Sequence, residues 1–266
     1  MKVVLITGAS SGIGYATALA FAKRGASVVA IARRVERLAQ LEREIADLPG
    51  DCLAIAADVT DHDAMDQAVA QAVERFGRLD VLVANAGVGQ RAALVDSSWG
   101  DLETLLRTNI DGVIHGVRAA VPAMRSTGGE PLGEPLGGHI VIVSSVASET
   151  ATPYAAAYGA SKAFVSSLAR SLSLELEADH ITVTNLIVGV TASEFQQNRL
   201  GERGVAAGAA NIPAMQPSEV ADGIVRATDR RAKTAILRPF DRLVLWANRI
   251  APGWIGRQAL RRYKTD

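Results

Sequence analysis

Tyr158 and Lys162 stand four residues apart in Tyr158-Gly-Ala-Ser-Lys162, a spacing that sets a phenol and an ammonium on one face of a helix. A free phenol titrates near ~10 and is a poor base at neutral pH, but a nearby cation favours the phenolate. Such a pair can give a proton to an alcohol oxygen or take one from it. Tyr and Lys are both common on helix surfaces, so the meaning of the pair rests on what surrounds it and on the elements that position it.

Composition bounds those elements. The chain has 266 residues, 48% hydrophobic and 21% charged, enough for one domain with a large core. Lys plus Arg and Asp plus Glu both number 28, and the zero net charge sets aside nucleic acid and other polyanionic partners. Cys52 is the one cysteine, which excludes an intramolecular disulfide and suits a reducing compartment. His62, His115, His139 and His180 lie far apart in the sequence without ligand spacing, so no metal site is expected. A strand-like run begins at Lys2, leaving no room for a signal segment, and no apolar run reaches the ~20 residues of a membrane span. A cytoplasmic protein is expected.

Short β-rich runs alternate with Ala/Leu-rich helical stretches at 3–6, 27–32, 52–57, 79–84, 139–144, 181–188 and 234–237. The runs are apolar throughout instead of alternating, as strands of a parallel sheet covered on both faces must be. The pattern predicts a doubly wound α/β domain over residues 1–238 around a mostly parallel seven-stranded sheet. In such a sheet the ligand sits beyond the carboxyl ends of the strands. Residues 126–138, with a doubled Gly-Glu-Pro-Leu unit, read as a surface loop without assigned function.

The first strand runs directly into Thr7-Gly8-Ala9-Ser10-Ser11-Gly12-Ile13-Gly14, which opens a helix to about Arg24. Gly8 permits a tight turn, Gly12 lets the backbone approach a pyrophosphate and Gly14 allows close helix packing, while the helix N-terminus offers free N–H groups to the anion. The second strand selects the dinucleotide. An NAD(H) site usually ends that strand in Asp or Glu to bind the ribose 2′-hydroxyl. Here it ends Ala30-Ile31-Ala32-Arg33-Arg34, and two guanidiniums suit a 2′-phosphate, so NADP(H) is preferred over NAD(H).

With the glycine turn, the Tyr158/Lys162 pair and this chain length together, the sequence resembles the short-chain dehydrogenase/reductase family in its compact single-domain, Rossmann-type branch. Further landmarks fall in order: Asp58-Val59 resembles the adenine-contacting pair, Asn85-Ala86-Gly87 the motif that steadies the sheet and lines the cofactor, and Asn109 the active-site asparagine. Ser145 precedes Tyr158 by 13 residues, the family's serine-to-tyrosine spacing. The resemblance implies that Ser145 hydrogen-bonds the substrate carbonyl, Tyr158 exchanges its proton, Lys162 lowers the phenol pKa and binds the nicotinamide ribose, and Asn109 holds a relay water. It implies an oxidoreductase acting on small carbonyl or alcohol substrates and a homodimer or homotetramer. The competing reading is a non-catalytic NADP(H) sensor or scaffold, which has no need of a perturbed phenol. One landmark departs from the family pattern: in Val188-Gly189-Val190-Thr191-Ala192-Ser193, Val188 stands where a proline is usual, Thr191 where Val or Ile is and Ser193 where Thr is, while Gly189 keeps the turn and Ser193 keeps a hydroxyl.

Specificity is expected in residues 194–216, with Phe195 and Met215, as a mobile lid, and in Ser148, Thr152 and Tyr154 facing the same cavity. The segment 239–266 reads as a helical extension. From Arg238 onward it carries seven basic residues against two acidic ones, a net of +5, with Leu243, Trp246, Ala247 and Ile250 at helical spacing. A basic amphipathic segment with tryptophans can make peripheral contact with an anionic membrane. Packing onto the subunit's own core or a neighbour is the preferred alternative.

Overall fold

The computed structural model describes residues 1–127, 137–201 and 214–263. Seven strands, β1 (Val3–Thr7), β2 (Ser27–Ala32), β3 (Asp51–Ala56), β4 (Val81–Ala84), β5 (His139–Ser145), β6 (Thr182–Val188) and β7 (Thr234–Ile236), form one sheet in the order β3-β2-β1-β4-β5-β6-β7. Every pairing is parallel. The strands fall where the apolar runs predict, within two residues at each end.

Strands apolar at successive positions bury both faces, and the two faces hold separate cores. Val3 and Leu5 of β1 pack with Met65, Val117 and Val165, from α3 (His62–Phe76), α5 (Gly112–Thr127) and α6 (Ala156–Glu175). Val4 and Ile6, one residue out of phase, pack with Phe21, Leu41 and Ile224, from α1 (Gly12–Ala22), α2 (Val35–Ala46) and α7 (Pro217–Asp229). Period-two geometry on a continuously apolar strand thus yields the three-layer sandwich. β3 is one edge of the sheet and is correspondingly less buried, Asp51 and Ala56 being exposed.

The strand order reverses direction between β1 and β4, which opens a crevice at the carboxyl ends of the strands. Beside it, α4 (Trp99–Leu106) and α5 are joined by a π-helical segment, Arg107–Asp111. At the C-terminus α8 (Pro239–Ile250) and α9 (Pro252–Tyr263) pack on each other. The predicted 126–138 loop falls mostly outside the described residues, as do 202–213 of the predicted lid and 264–266 of the tail.

Candidate active site

A cavity of about 1230 Å³ follows the crevice, and nearly all the site residues named from the sequence line it. From the dinucleotide side these are Gly8, Ser10 to Ile13, Arg33, Arg34, Asp58, Val59 and Asn85 to Gly87; from the reaction side, Ser145, Tyr158, Lys162, Gly189, Thr191 and Ser193. Gly14 and Asn109 are not on the cavity wall, and each acts from behind it.

The glycine turn explains itself sterically. Gly8 and Gly12 have φ of +69° and +55°, the left-handed region that favours glycine. A Cβ on Gly8 would lie 2.9 Å from the Ala86 Cα, and one on Gly14 would strike the Gly8 carbonyl. The turn is tied to β4 by Thr7, whose Oγ1 accepts from the N–H groups of Asn85 and Ala86, both at 3.0 Å, and by Asn85 Nδ2 donating to the Thr7 carbonyl at 2.9 Å. Helix α1 begins at Gly12 without a side-chain cap from Ser11, so its first N–H groups stay available. A backbone cradle too close for side chains, with an uncapped helix N-terminus aimed into it, fits the pyrophosphate of a dinucleotide.

At the adenosine end, Arg34 donates from Nε to Ser10 Oγ at 3.2 Å and from Nη1 to Glu194 at 2.9 Å. Arg37 joins it, donating from Nε to the Ser10 carbonyl at 3.2 Å, with a guanidinium nitrogen 3.9 Å from Glu194. Arg33 is more exposed and lies 3.6 Å from Asp58. Burial raises the Asp58 pKa, but hydrogen bonds from the Thr60 N–H and hydroxyl and the Arg33 charge outweigh it, so the carboxyl is held below its usual range. Sequence reasoning found Arg33 and Arg34 but missed Arg37 and Glu194, the latter contributed from 160 positions downstream of Arg34.

At the reaction end, Tyr158 is half-buried on the first turns of α6 and lines the cavity together with Ser145. Burial raises its pKa, opposed by the Ser145 hydroxyl and by the charge of Arg199. This differs from the expectation that Lys162 would lower it: the Lys162 ammonium is 6.0 Å from the Tyr158 ring centroid and donates to the Val143 carbonyl at 2.9 Å. Lys162 is buried, and desolvation brings its own pKa down to about 8. Ser145 Oγ accepts from the Ala147 N–H at 3.1 Å, which holds its side chain at the end of β5.

Asn109 is fully buried in the π-helical segment. Its Oδ1 accepts from the Val88 N–H at 2.8 Å, and its Nδ2 donates to the Val88 carbonyl and to Ser161 Oγ, both at 3.0 Å. The amide thereby pins the loop after β4 to the helix that carries Tyr158.

Three supports were not legible in the sequence. Gln90 is buried in the loop after β4, and its Oε1 accepts from the Ala157 N–H at 3.1 Å, serving an N-terminus of α6 that Ala155 cannot cap. Arg238 forms a bidentate pair with buried Asp241, at 2.8 and 2.7 Å, packed where a Cβ on Gly189 would be. Tyr154 adopts φ +59°, uncommon for a non-glycine residue, while its carbonyl accepts from the Ala92 N–H at 2.9 Å. A polar residue in a loop, an i,i+3 charge pair and a tyrosine carry no signature that would reveal these contacts in advance.

Two expectations need correction. Thr152 and Tyr154 line the cavity, but Ser148 is not on its wall, its Oγ being buried without a hydrogen-bond partner. Phe195 reaches the cavity 5.8 Å from the Tyr158 ring centroid, whereas Met215 is buried in a bridge with Thr191. The histidines distant in sequence also do not all stay apart: the His62 and His115 rings meet edge-on at 5.8 Å, away from the crevice.

An all-parallel doubly wound sheet, a glycine cradle at its switch point and a Tyr, Lys and Ser cluster at the other end of one cavity define a dinucleotide-binding oxidoreductase. The family profile described as short chain dehydrogenase matches residues 2–203, and the chain belongs to that family. It is 35% identical to the 3-oxoacyl-(acyl-carrier-protein) reductase of Thermotoga maritima over 228 residues, which cover 84% of this chain and 89% of that protein. Among solved structures, an alcohol dehydrogenase of Thermococcus sibiricus complexed with 5-hydroxy-NADP superposes with a TM-score of 0.75 at 27% identity, over 90% of this chain and 96% of that one. A 3-ketoacyl-(acyl-carrier-protein) reductase of Brucella melitensis complexed with NADH gives a TM-score of 0.77 at 28% identity, over 87% and 92%.

Proposed function

We propose that the protein is an NADP(H)-dependent oxidoreductase that interconverts a carbonyl compound and its secondary alcohol, with Tyr158 as the general acid and base. The observation that carries this reading is that Ser145, Tyr158 and Lys162 line the same cavity as the glycine cradle. A bound nicotinamide supplies or accepts the hydride. The chain's own groups do the rest. Ser145 donates to the substrate oxygen, Tyr158 gives its proton to that oxygen in reduction and removes it in oxidation, and Lys162 binds the nicotinamide ribose and keeps a positive charge near the reacting groups. Asn109 holds the Tyr158 helix in position and sits at the start of the proton path toward Lys162.

The preference for the 2′-phosphate rests on Arg34 and Arg37 gathered at Ser10, with Arg33 beside them, and on the absence of an acid at the end of β2. The test is a panel of ketones, aldehydes and secondary alcohols followed at the NADPH absorbance. Turnover with NADPH exceeding that with NADH is expected. Tight NADPH binding without oxidation across the panel would replace this reading with a cofactor sensor.

Self-association is part of the same proposal. Trp99 and Leu106 on α4 and Phe164 and Leu174 on α6 are exposed apolar side chains on neighbouring helices, a face suited to pairing with a second copy. A dimer or tetramer by light scattering is expected, and Phe164→Glu should shift it toward monomer. Among the described residues no helix is long and apolar enough to cross a membrane.

A further inference from the structure

Resting on the reaction assigned above, we infer that the substrate carries its carbonyl or hydroxyl on an extended apolar skeleton, and that α8 and α9 form the wall that recognises it. The cavity of about 1230 Å³ exceeds the ~300–1000 Å³ usual for one small molecule, leaving room beyond a dinucleotide. Its far wall is built from Val244, Ala247, Ile255 and Ala259, with Leu243 and Trp254 at the rim. Val244 and Ala247 share one face of α8, and Ile255 and Ala259 one face of α9, by their i,i+3 and i,i+4 spacing. These residues lie beyond the 2–203 stretch that matches the family profile.

The chemistry of the two ends differs. Hydrogen-bonding groups for one oxygen, Ser145 and Tyr158, stand at the reaction end. On the far wall the charges of Arg238 and Asp241 satisfy each other, and Gln258 is the polar side chain that α9 adds. The arm is also fixed to the loop between Ser145 and Tyr158: Asn248 Nδ2 donates to the Glu149 carbonyl at 2.6 Å, and a Cβ on Gly256 would be 3.2 Å from Ala151. An apolar wall opposite the Ser145 and Tyr158 hydroxyls selects molecules that join a carbonyl or hydroxyl to a long or bulky hydrocarbon body. Arg91 and Arg199 also line the cavity, so an oxo acid of equal length is the informative competitor.

The full chain, saturated with NADPH, should reduce the series from 2-butanone to 2-decanone with kcat/KM rising about three- to fourfold per methylene along the stretch that reaches α9. Oxo acids of matched length should gain much less. In Val244→Asp or Ile255→Asp the long-to-short ratio should fall at least tenfold. A readout independent of turnover uses Trp254: Trp99 and Trp246 are 86% and 61% exposed, so Trp99→Phe with Trp246→Phe leaves Trp254 as the single reporter of the three tryptophans. Saturable blue-shifted emission with 2-decanone, absent with 2-butanone, is expected. Reduction of short ketones with a flat length dependence, or preference for the oxo acids, would overturn the substrate class and leave the reaction intact. A saturating Trp254 signal without NADPH oxidation would refute the reaction and uphold the wall.

Discussion

The Lys162 ammonium donates to the Val143 carbonyl while lying 6.0 Å from the ring centroid of Tyr158, so the two side chains share a shell without sharing a hydrogen bond. Burial acts on them in opposite senses, lowering the lysine and raising the tyrosine. The neutral phenol is therefore the resting form, suited to give a proton. Tyr158→Phe removes that proton and should lower kcat by about 10²–10⁴ while leaving the NADPH dissociation constant within about twofold. Cofactor fluorescence and steady-state rates measure the two separately, and an active phenylalanine variant would sink the assignment.

A pH dependence comes from the same pair. Lys162 titrates at about 8, so its charge is present below that pH and is lost above it. The reductive kcat/KM should fall as pH rises through about 8, since this parameter reports groups of the free enzyme. Lys162→Met should abolish that limb along with most of the activity. A wild-type profile flat to pH 10 would contradict it.

Glu194 competes for the guanidiniums that a 2′-phosphate would engage, standing 2.9 Å from Arg34 and 3.9 Å from Arg37. Arg34→Ala should raise the KM for NADPH roughly 10- to 100-fold, the worth of about 1.5–3 kcal/mol for a charge-assisted hydrogen bond, with NADH little affected. Glu194→Gln should act in the opposite direction, lowering the NADPH KM several-fold. Kinetics with both cofactors on both variants provide the check.

Acid sensitivity should have one identifiable source in His139. Its ring is buried at the start of β5, with Nε2 2.7 Å from Thr184 Oγ1, and burial followed by the Arg231 charge brings its pKa from 6.5 to about 4. The unfolded chain binds that proton more readily, so stability falls as pH drops from about 6.5 toward 4. The loss is on the order of 3 kcal/mol at full development. Urea unfolding at pH 7 and pH 4.5 should show a smaller difference for His139→Gln than for the wild-type chain.

The fold and the reaction end were legible because their signals are local. A strand running into Gly8, Gly12 and Gly14, or a Tyr158 to Lys162 repeat, is written within a few residues. Contacts across the crevice are different in kind. The Gln90 to Ala157 bond closes a gap of 67 positions, and the Arg34 to Glu194 pair one of 160, with nothing in either sequence neighbourhood naming the partner. The C-terminal arm shows the limit most plainly. Its helical spacing identified an apolar stripe but not the surface it faces. The fold turns Val244 and Ala247 to the cavity and leaves Trp246 and Ile250 exposed, 61% and 65%, on the outside.

The π-helical segment Arg107–Asp111 gives the site a dependence on counting. Each residue of an α-helix turns the chain by about 100°, so a π segment stores one residue that regular winding would not accommodate. Deleting Ile110 or Asp111 would let the helix regularise and swing Asn109 away from Ser161 and Val88, even with every side chain of the cavity wall intact. The alignment of the two halves of the crevice is thus encoded partly as a number of residues, and a single-codon deletion there would do what no conservative substitution at Asn109 can.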